Sequence, residues 1–241
     1  MSLRTMTLNI EGNKHFDRWL PVVKEKKPEV VCLQEVFEID LPHIQQELGM
    51  QAVFAPMLRY ESENKYAIPA RGVWGVALLT AASLEEVRVD YYSGSEEVLS
   101  FAEPNDASRV LLSTVIHKGA QNYTVGTTHF TWSSNGEINE AQAKDIAALE
   151  KLLESYDELI LCGDFNAPRG KDIHNRLAQL MQSVVPESET TTIDGEFHYA
   201  GRLQLVVDDI FLTAGYQLQS VEVIEGVSDH KAIWAEITTV A

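Results

Sequence analysis

Eleven short strand-like runs set what this chain can fold into. They are Leu3–Ile10, Glu29–Gln34, Gln51–Ala55, Val73–Thr80, Val87–Tyr92, Val110–His117, Tyr123–Thr128, Leu159–Cys162, Leu205–Thr213, Leu218–Ile224 and Ala232–Thr238. All are rich in Val, Ile, Leu and Thr, the residues that fit a pleated, half-buried surface. Four helical patterns lie between some of them. Phe16–Lys26 stops before Pro28, and Leu41–Leu48 stops at Gly49. Gly136–Ser155 is rich in Ala, Glu and Lys and carries Ile146, Leu149 and Leu153 on one stripe. A shorter helix is expected over Asp172–Gln182. Strands outnumber helices without a strict βαβ repeat, so mixed sheets with helices outside are expected, not a simple doubly wound fold.

No linker, low-complexity tract or short-period repeat divides the 241 residues, and one domain over 1–241 is the simplest organisation. A hydrophobic content of 45% supplies a sizeable core. No run approaches the ~20 apolar residues of a membrane span. The N-terminus enters a strand pattern without a charged and then apolar leader, which reads as cytoplasmic. A leader removed beforehand would leave no trace. The two cysteines, Cys32 and Cys162, sit inside apolar runs and are expected to be buried thiols, with no disulfide framework.

The formal charge is −17, with 19 Lys and Arg against 36 Asp and Glu. A basic stripe for non-specific grip on nucleic acid is therefore not evident. The acidic balance still allows nuclease chemistry, because carboxylates gathered around a cation add to the count themselves.

Polar residues collect where the apolar runs end. Asn9 and Glu11 share a face at the end of the first strand. Gln34 and Glu35 close the second run. His129 follows Tyr123–Thr128, and Asp164 and Asn166 follow Leu159–Cys162. Asp208 and Asp209 interrupt an apolar run and must face opposite sides. Asp229 and His230 stand just before the last strand. Singly these are bland: an Asp-x-Asn after a strand is ordinarily a turn. Jointly they gather carboxylates that are costly to bury near one another unless a cation neutralises them. Oxygen ligands with no Cys cluster suit Mg²⁺, Mn²⁺ or Ca²⁺ better than structural zinc. Mg²⁺ in particular leaves part of its shell to substrate phosphate.

The ordered set LNIEG, LQEV, GVALLT, THF, GDFN, VDDIF and SDH resembles the endonuclease/exonuclease/phosphatase superfamily, from Leu8 to His230. The resemblance implies a DNase I-like α/β four-layer sandwich, two mixed β-sheets face to face with helices outside. It implies Mg²⁺ or Mn²⁺ held by Glu35, with Asn9 and Asp229 nearby. Asp164 would handle a proton and Asn166 would hold a phosphoryl oxygen. His230 would be oriented by Asp208, and His129 would donate to a phosphate oxygen. The activity implied is metal-dependent phosphodiester hydrolysis, with nucleic acid among the candidate partners and a monomer expected. The alternatives are a phosphatase, a phospholipid head-group hydrolase or a non-catalytic binding module on the same fold.

Glu11 stands where several relatives carry Asp, Asp209 where an aromatic or His is common, and SDHKA lacks a Pro two residues after the His. The substrate-binding residues are unassigned. The variable loops Ala55–Arg71, Ser93–Ser108 and Val184–Ala200 are expected to choose the substrate. Arg109 precedes a strand and could reach a substrate phosphate, but a solvated surface arginine is the expectation. His15, His43, His117, His174 and His198 match no motif and are expected to be surface or structural.

Overall fold

The structure is a computed structural model, and it describes residues 1–62, 64, 68–134 and 136–240. Part of the loop expected between Ala55 and Arg71 lies outside these. Twelve strands among the described residues form two mixed six-stranded sheets. The first orders β11(Tyr216–Ile224), β12(Ala232–Thr239), β1(Ser2–Asn9), β2(Val30–Phe37), β4(Gly72–Thr80) and β3(Gln51–Tyr60). The second orders β5(Glu85–Ser93), β6(Arg109–Lys118), β7(Gln121–His129), β8(Ile160–Asp164), β10(Asp208–Leu212) and β9(Gln182–Ser183). The expected two-sheet architecture is thus the observed one.

Each sheet has one parallel pair near its middle, β1 beside β2 and β7 beside β8. A parallel pair needs a crossover, and a helix supplies each one. α1(Phe16–Lys26) joins β1 to β2, and α3(Glu140–Leu153) joins β7 to β8. Both pairs end in polar residues: Asn9 lies opposite Gln34, and His129 opposite Asp164. Open sheets place ligands outside the carboxyl ends of parallel strands. The same topology here brings four polar strand ends to one edge.

Strand alternation builds the layers. Val30 and Cys32 of β2 point between the sheets, while Val31 and Leu33 point outward onto α1 and α2(Leu41–Leu48). Cys162 of β8 also points inward, and the two unoxidised cysteine side chains meet in the central core. On the far side, Leu159, Leu161 and Phe211 pack against Ile146 and Leu149 of α3 and Ile173 and Leu177 of α4(Asp172–Leu180). Strands buried on both faces read as continuous apolar runs, which explains VVCL and LILC.

Some boundaries differ from the sequence expectation. The third helix starts at Glu140, not Gly136, because the Asn139 side chain accepts the Gln142 N–H and caps it there. Residues 205–207 are not strand; β10 begins at Asp208, opposite Asp164.

Candidate active site

Asp164 is the centre of the site. It is the last residue of β8 and is 2% exposed. Its Oδ1 accepts the Asn166 N–H at 2.9 Å. GDFN is therefore a turn of the Asx kind, as its composition says. Asp164 Oδ2 turns the other way, into the site. It accepts from Asn9 Nδ2 at 3.1 Å and lies 3.4 Å from His129 Nε2 and 3.9 Å from His230 Nε2. Gly163 permits this, since a Cβ there would sit 2.4 Å from the Thr128 carbonyl oxygen where β8 passes β7.

Glu35 arrives by a different device. Between Leu33 and Val36, β2 holds one more residue than β4 opposite, a β-bulge. Glu35 is that region's left-handed residue, with φ 61°. Such a conformation is uncommon and costly for a residue with a Cβ. Its Oε1 accepts from Asn9 Nδ2 at 3.1 Å, so one carboxamide ties Glu35 to Asp164 across the two sheets. Asn9 turns its own carbonyl to the Glu11 N–H at 3.1 Å. Burial and the Asp229 carboxylate push Glu35 up to about 8. Burial also raises Asp229, with Glu11 adding to it.

Asp208 and Asp209 leave β10 on opposite faces. Asp208 Oδ2 lies 2.8 Å from His230 Nδ1. Its Oδ1 is buried and has no hydrogen-bond partner. Asp209 instead accepts from Ser183 Oγ at 2.6 Å and the Ile210 N–H at 2.8 Å, with His174 beyond at 3.6 Å. Burial works against charging His230, but Asp208, Asp164 and Asp229 outweigh it and raise the imidazole well above its ordinary value.

His129 behaves in the reverse sense. Burial, reinforced by Arg109 and His230, pushes it down to about 4 against the pull of Asp164. It is therefore neutral at pH 7, a donor without charge. A folded value below the unfolded 6.5 means that folded protein resists a proton that unfolded protein accepts. Stability from this group is present above 6.5 and drains away as pH falls towards 4. His129→Gln is expected to lose less stability than the parent between pH 7.5 and pH 5, by about 1–2 kcal/mol. Urea unfolding at the two pH values checks this.

The structure brings together Asn9, Glu35, His129, Asp164, Asn166, Asp208, Asp229 and His230. The ligand atoms of Asp164, Asp208 and His230 lie within 4.8 Å of one another, the grouping closest to a metal cluster among the described residues. Yet His230 is paired with Asp208 through Nδ1, and the carboxylates around it favour the charged imidazole, which has no lone pair to give. A cation fits better on the Glu35 side, where clustered carboxyl groups resist ionising without one.

One expectation needs correction. Arg109 is not solvated; it is 3% exposed and donates to the His129 carbonyl at 3.2 Å and Asn105 Oδ1 at 3.3 Å. The end of β7 offers acceptors that a strand-start position does not advertise. His198 is half-buried, and its ring lies 6.3 Å from that of His230. His174 is buried behind β10 against Phe211. His43 and His117 are exposed, and His15 bonds to Glu11 at 3.0 Å. Gln34 closes the second apolar run of the sequence. It bridges the sheets below the site, donating to Thr127 Oγ1 at 2.9 Å and Thr7 Oγ1 at 3.1 Å.

This architecture is the DNase I-like class, two mixed sheets with a polar site at their common edge. The chain belongs to the endonuclease/exonuclease/phosphatase family, whose model matches residues 6–230. That family has a phosphoesterase fold, and its members hydrolyse phosphate esters.

Solved structures agree on the fold. An endonuclease/exonuclease/phosphatase from Beutenbergia cavernae is 16% identical over 99% of this chain and 72% of its own, with a TM-score of 0.75. The human Nocturnin catalytic domain with bound sulfate is 19% identical over 99% and 95%, with a TM-score of 0.70. A mannosyl-6-phosphatase from Bacteroides thetaiotaomicron is 14% identical over 98% and 100%, also at 0.70. A search of curated protein sequences finds no match.

Proposed function

We propose that residues 1–241 form one catalytic domain, a Mg²⁺- or Mn²⁺-dependent phosphodiesterase that attacks its phosphate ester in line with water. The observation that carries this is the meeting of Glu35, Asp164 and the Asp208–His230 pair at one sheet edge, with Asn9 bonded to the first two. A divalent cation, when bound, supplies Lewis acidity and offsets charge on the phosphoryl oxygens. Glu35 would hold it, with Asn9 and Asp229 alongside. Asp164 takes or returns a proton at Oδ2. The neutral His129 donates an N–H to a phosphoryl oxygen, and His230, positive and held by Asp208, faces the charge that builds as the ester bond breaks. Asn166 gives one amide hydrogen to the Phe130 carbonyl at 3.0 Å and keeps the other for substrate oxygen.

A phosphatase on the same fold is the second reading. The −17 charge favours a small ester over a long polyanion. A phospholipid head-group hydrolase is less well supported. It would need exposed apolar loops to meet lipid, but in Phe54–Tyr60 the side chains of Met57, Leu58 and Tyr60 are buried, and in Phe130–Trp132 Phe130 is buried and Trp132 alone is partly exposed, at 37%. No helix among the described residues is long and apolar enough to cross a membrane.

The test is hydrolysis of bis-p-nitrophenyl phosphate with Mg²⁺ or Mn²⁺. Turnover should vanish with EDTA and in Glu35→Ala and His230→Ala. Turnover indifferent to all three would place the chemistry elsewhere.

A further inference from the structure

The turn Glu196–Arg202 carries an aromatic run that the proposed chemistry does not use. Phe197 fixes it to the start of α1, 5.5 Å from the His15 ring and with the Arg18 guanidinium 4.3 Å above. Asp194 fixes the other side: its Oδ2 accepts the Gly226 N–H at 2.7 Å, and its own N–H bonds to the Asp229 carbonyl at 2.8 Å. Between these anchors, His198 sits against His230 and Tyr199 sits against His198, with ring centroids 4.7 Å apart. Tyr199 is 81% exposed.

The tautomer of His198 can be read from its bonding. The Ala200 N–H donates to His198 Nδ1 at 3.2 Å. A ring nitrogen that accepts carries no proton, so in the neutral ring the proton is on Nε2. Burial, with His230 adding, lowers the affinity of His198 for a second proton. His198 thus offers an N–H beside the His230–Asp208 pair. Of the cations around this turn, Lys14 pairs with Glu11 and Arg18 covers Phe197, while Arg202 lines the adjoining groove with Lys231.

We propose that His198 and Tyr199 form the leaving-group subsite for a small phosphate ester bearing a flat ring, such as an aryl or heterocyclic group. His198 Nε2–H binds an ester or phosphoryl oxygen, and the ring of the leaving group lies on Tyr199. This rests on the phosphoesterase reading above. The exposed Tyr199 ring offers a flat apolar face, which suits a planar leaving group.

Phenylphosphonate and methylphosphonate test this, because neither has an ester bond to hydrolyse. Their binding to the intact protein with Mg²⁺ is measured by calorimetry. Phenylphosphonate should bind about 3–10-fold more tightly, a preference erased in Tyr199→Ala without loss of methylphosphonate binding. His198→Ala should weaken both by about tenfold, and His198→Gln, which keeps an N–H donor, should restore part. A preference absent from the parent, or surviving Tyr199→Ala, overturns the platform. Unchanged binding in His198→Ala overturns the donor. Hydrolysis of the p-nitrophenyl diester by the same preparation separates the two levels. Hydrolysis without a phosphonate preference overturns this inference alone. Neither hydrolysis nor phosphonate binding removes the phosphoesterase reading and this inference with it.

Discussion

Glu35→Gln is expected to abolish cation-dependent turnover while making the cation-free protein more stable at alkaline pH. The loss of activity should be on the order of 10³-fold, since a cation contributes several kcal/mol of charge stabilisation to phosphoryl chemistry. The gain in stability follows from the carboxyl group itself. Burial and Asp229 lift it to about 8 in the folded protein, against an ordinary value of 4.5. The folded state therefore holds a proton that the unfolded state has released across this window. Stability falls as pH rises from 4.5 towards 8 and is lowest above it. Glutamine carries no charge at any pH and can still accept the Asn9 amide through its carbonyl. A bound cation reverses the effect in the parent by favouring the ionised form. Mg²⁺ should thus raise the parent's melting temperature more at pH 8.5 than at pH 6, and should hardly protect Glu35→Gln. Equal protection of both proteins would mean that the cation sits elsewhere.

Why Glu35 can be placed so closely in the fold but not in the sequence is a matter of backbone geometry. A strand pattern assigns alternate faces, and by alternation alone Glu35 would follow Leu33 outward, onto α1 and α2. The bulge between Leu33 and Val36 breaks that count, and nothing in VVCLQEVF marks the extra residue. The strand ends themselves were legible because apolar runs of the right length stop at Asn9, His129 and Asp164. Their convergence was not, because it depends on the pairing of β1 with β2 and of β7 with β8. The resemblance to a known family supplied that step. Arg109 and His198 fall outside both kinds of reading. Each reaches the site through a partner distant in sequence, the His129 carbonyl for one and the His230 ring for the other. The same logic applies to Gln34: adjacent to Glu35, it turns between the sheets and spends its amide on hydroxyl groups, not on substrate.

Asp208→Asn should lower kcat by roughly 10²–10⁴-fold, the range that positioned acid–base groups contribute. The carboxylate at 2.8 Å from His230 Nδ1 fixes the ring and supports its charge. Burial alone would keep His230 neutral, and Asp208 is the largest of the groups that reverse this. Removing its charge lets the imidazole lose its proton at lower pH. If the protonated ring is the working form, the alkaline limb of the pH–rate profile moves to lower pH in the variant. The stability effect has the same sign. A histidine whose folded value is raised stabilises the fold below its unfolded value, and that contribution fades as pH climbs through the folded one. Asp208→Asn should therefore cost more stability at pH 6 than at pH 9. Asp209→Asn is the matched control, because the two residues are adjacent on β10 and face opposite ways. Asp209 spends its oxygens on Ser183 and on backbone N–H groups, so its loss should cost stability and leave the pH–rate profile where it was. His230→Gln should be about as damaging as Asp208→Asn, and the double variant little worse than either, since groups that act as a unit are not additive. A shifted profile in Asp209→Asn, with Asp208→Asn unaffected, would mean that the working aspartate is the other one.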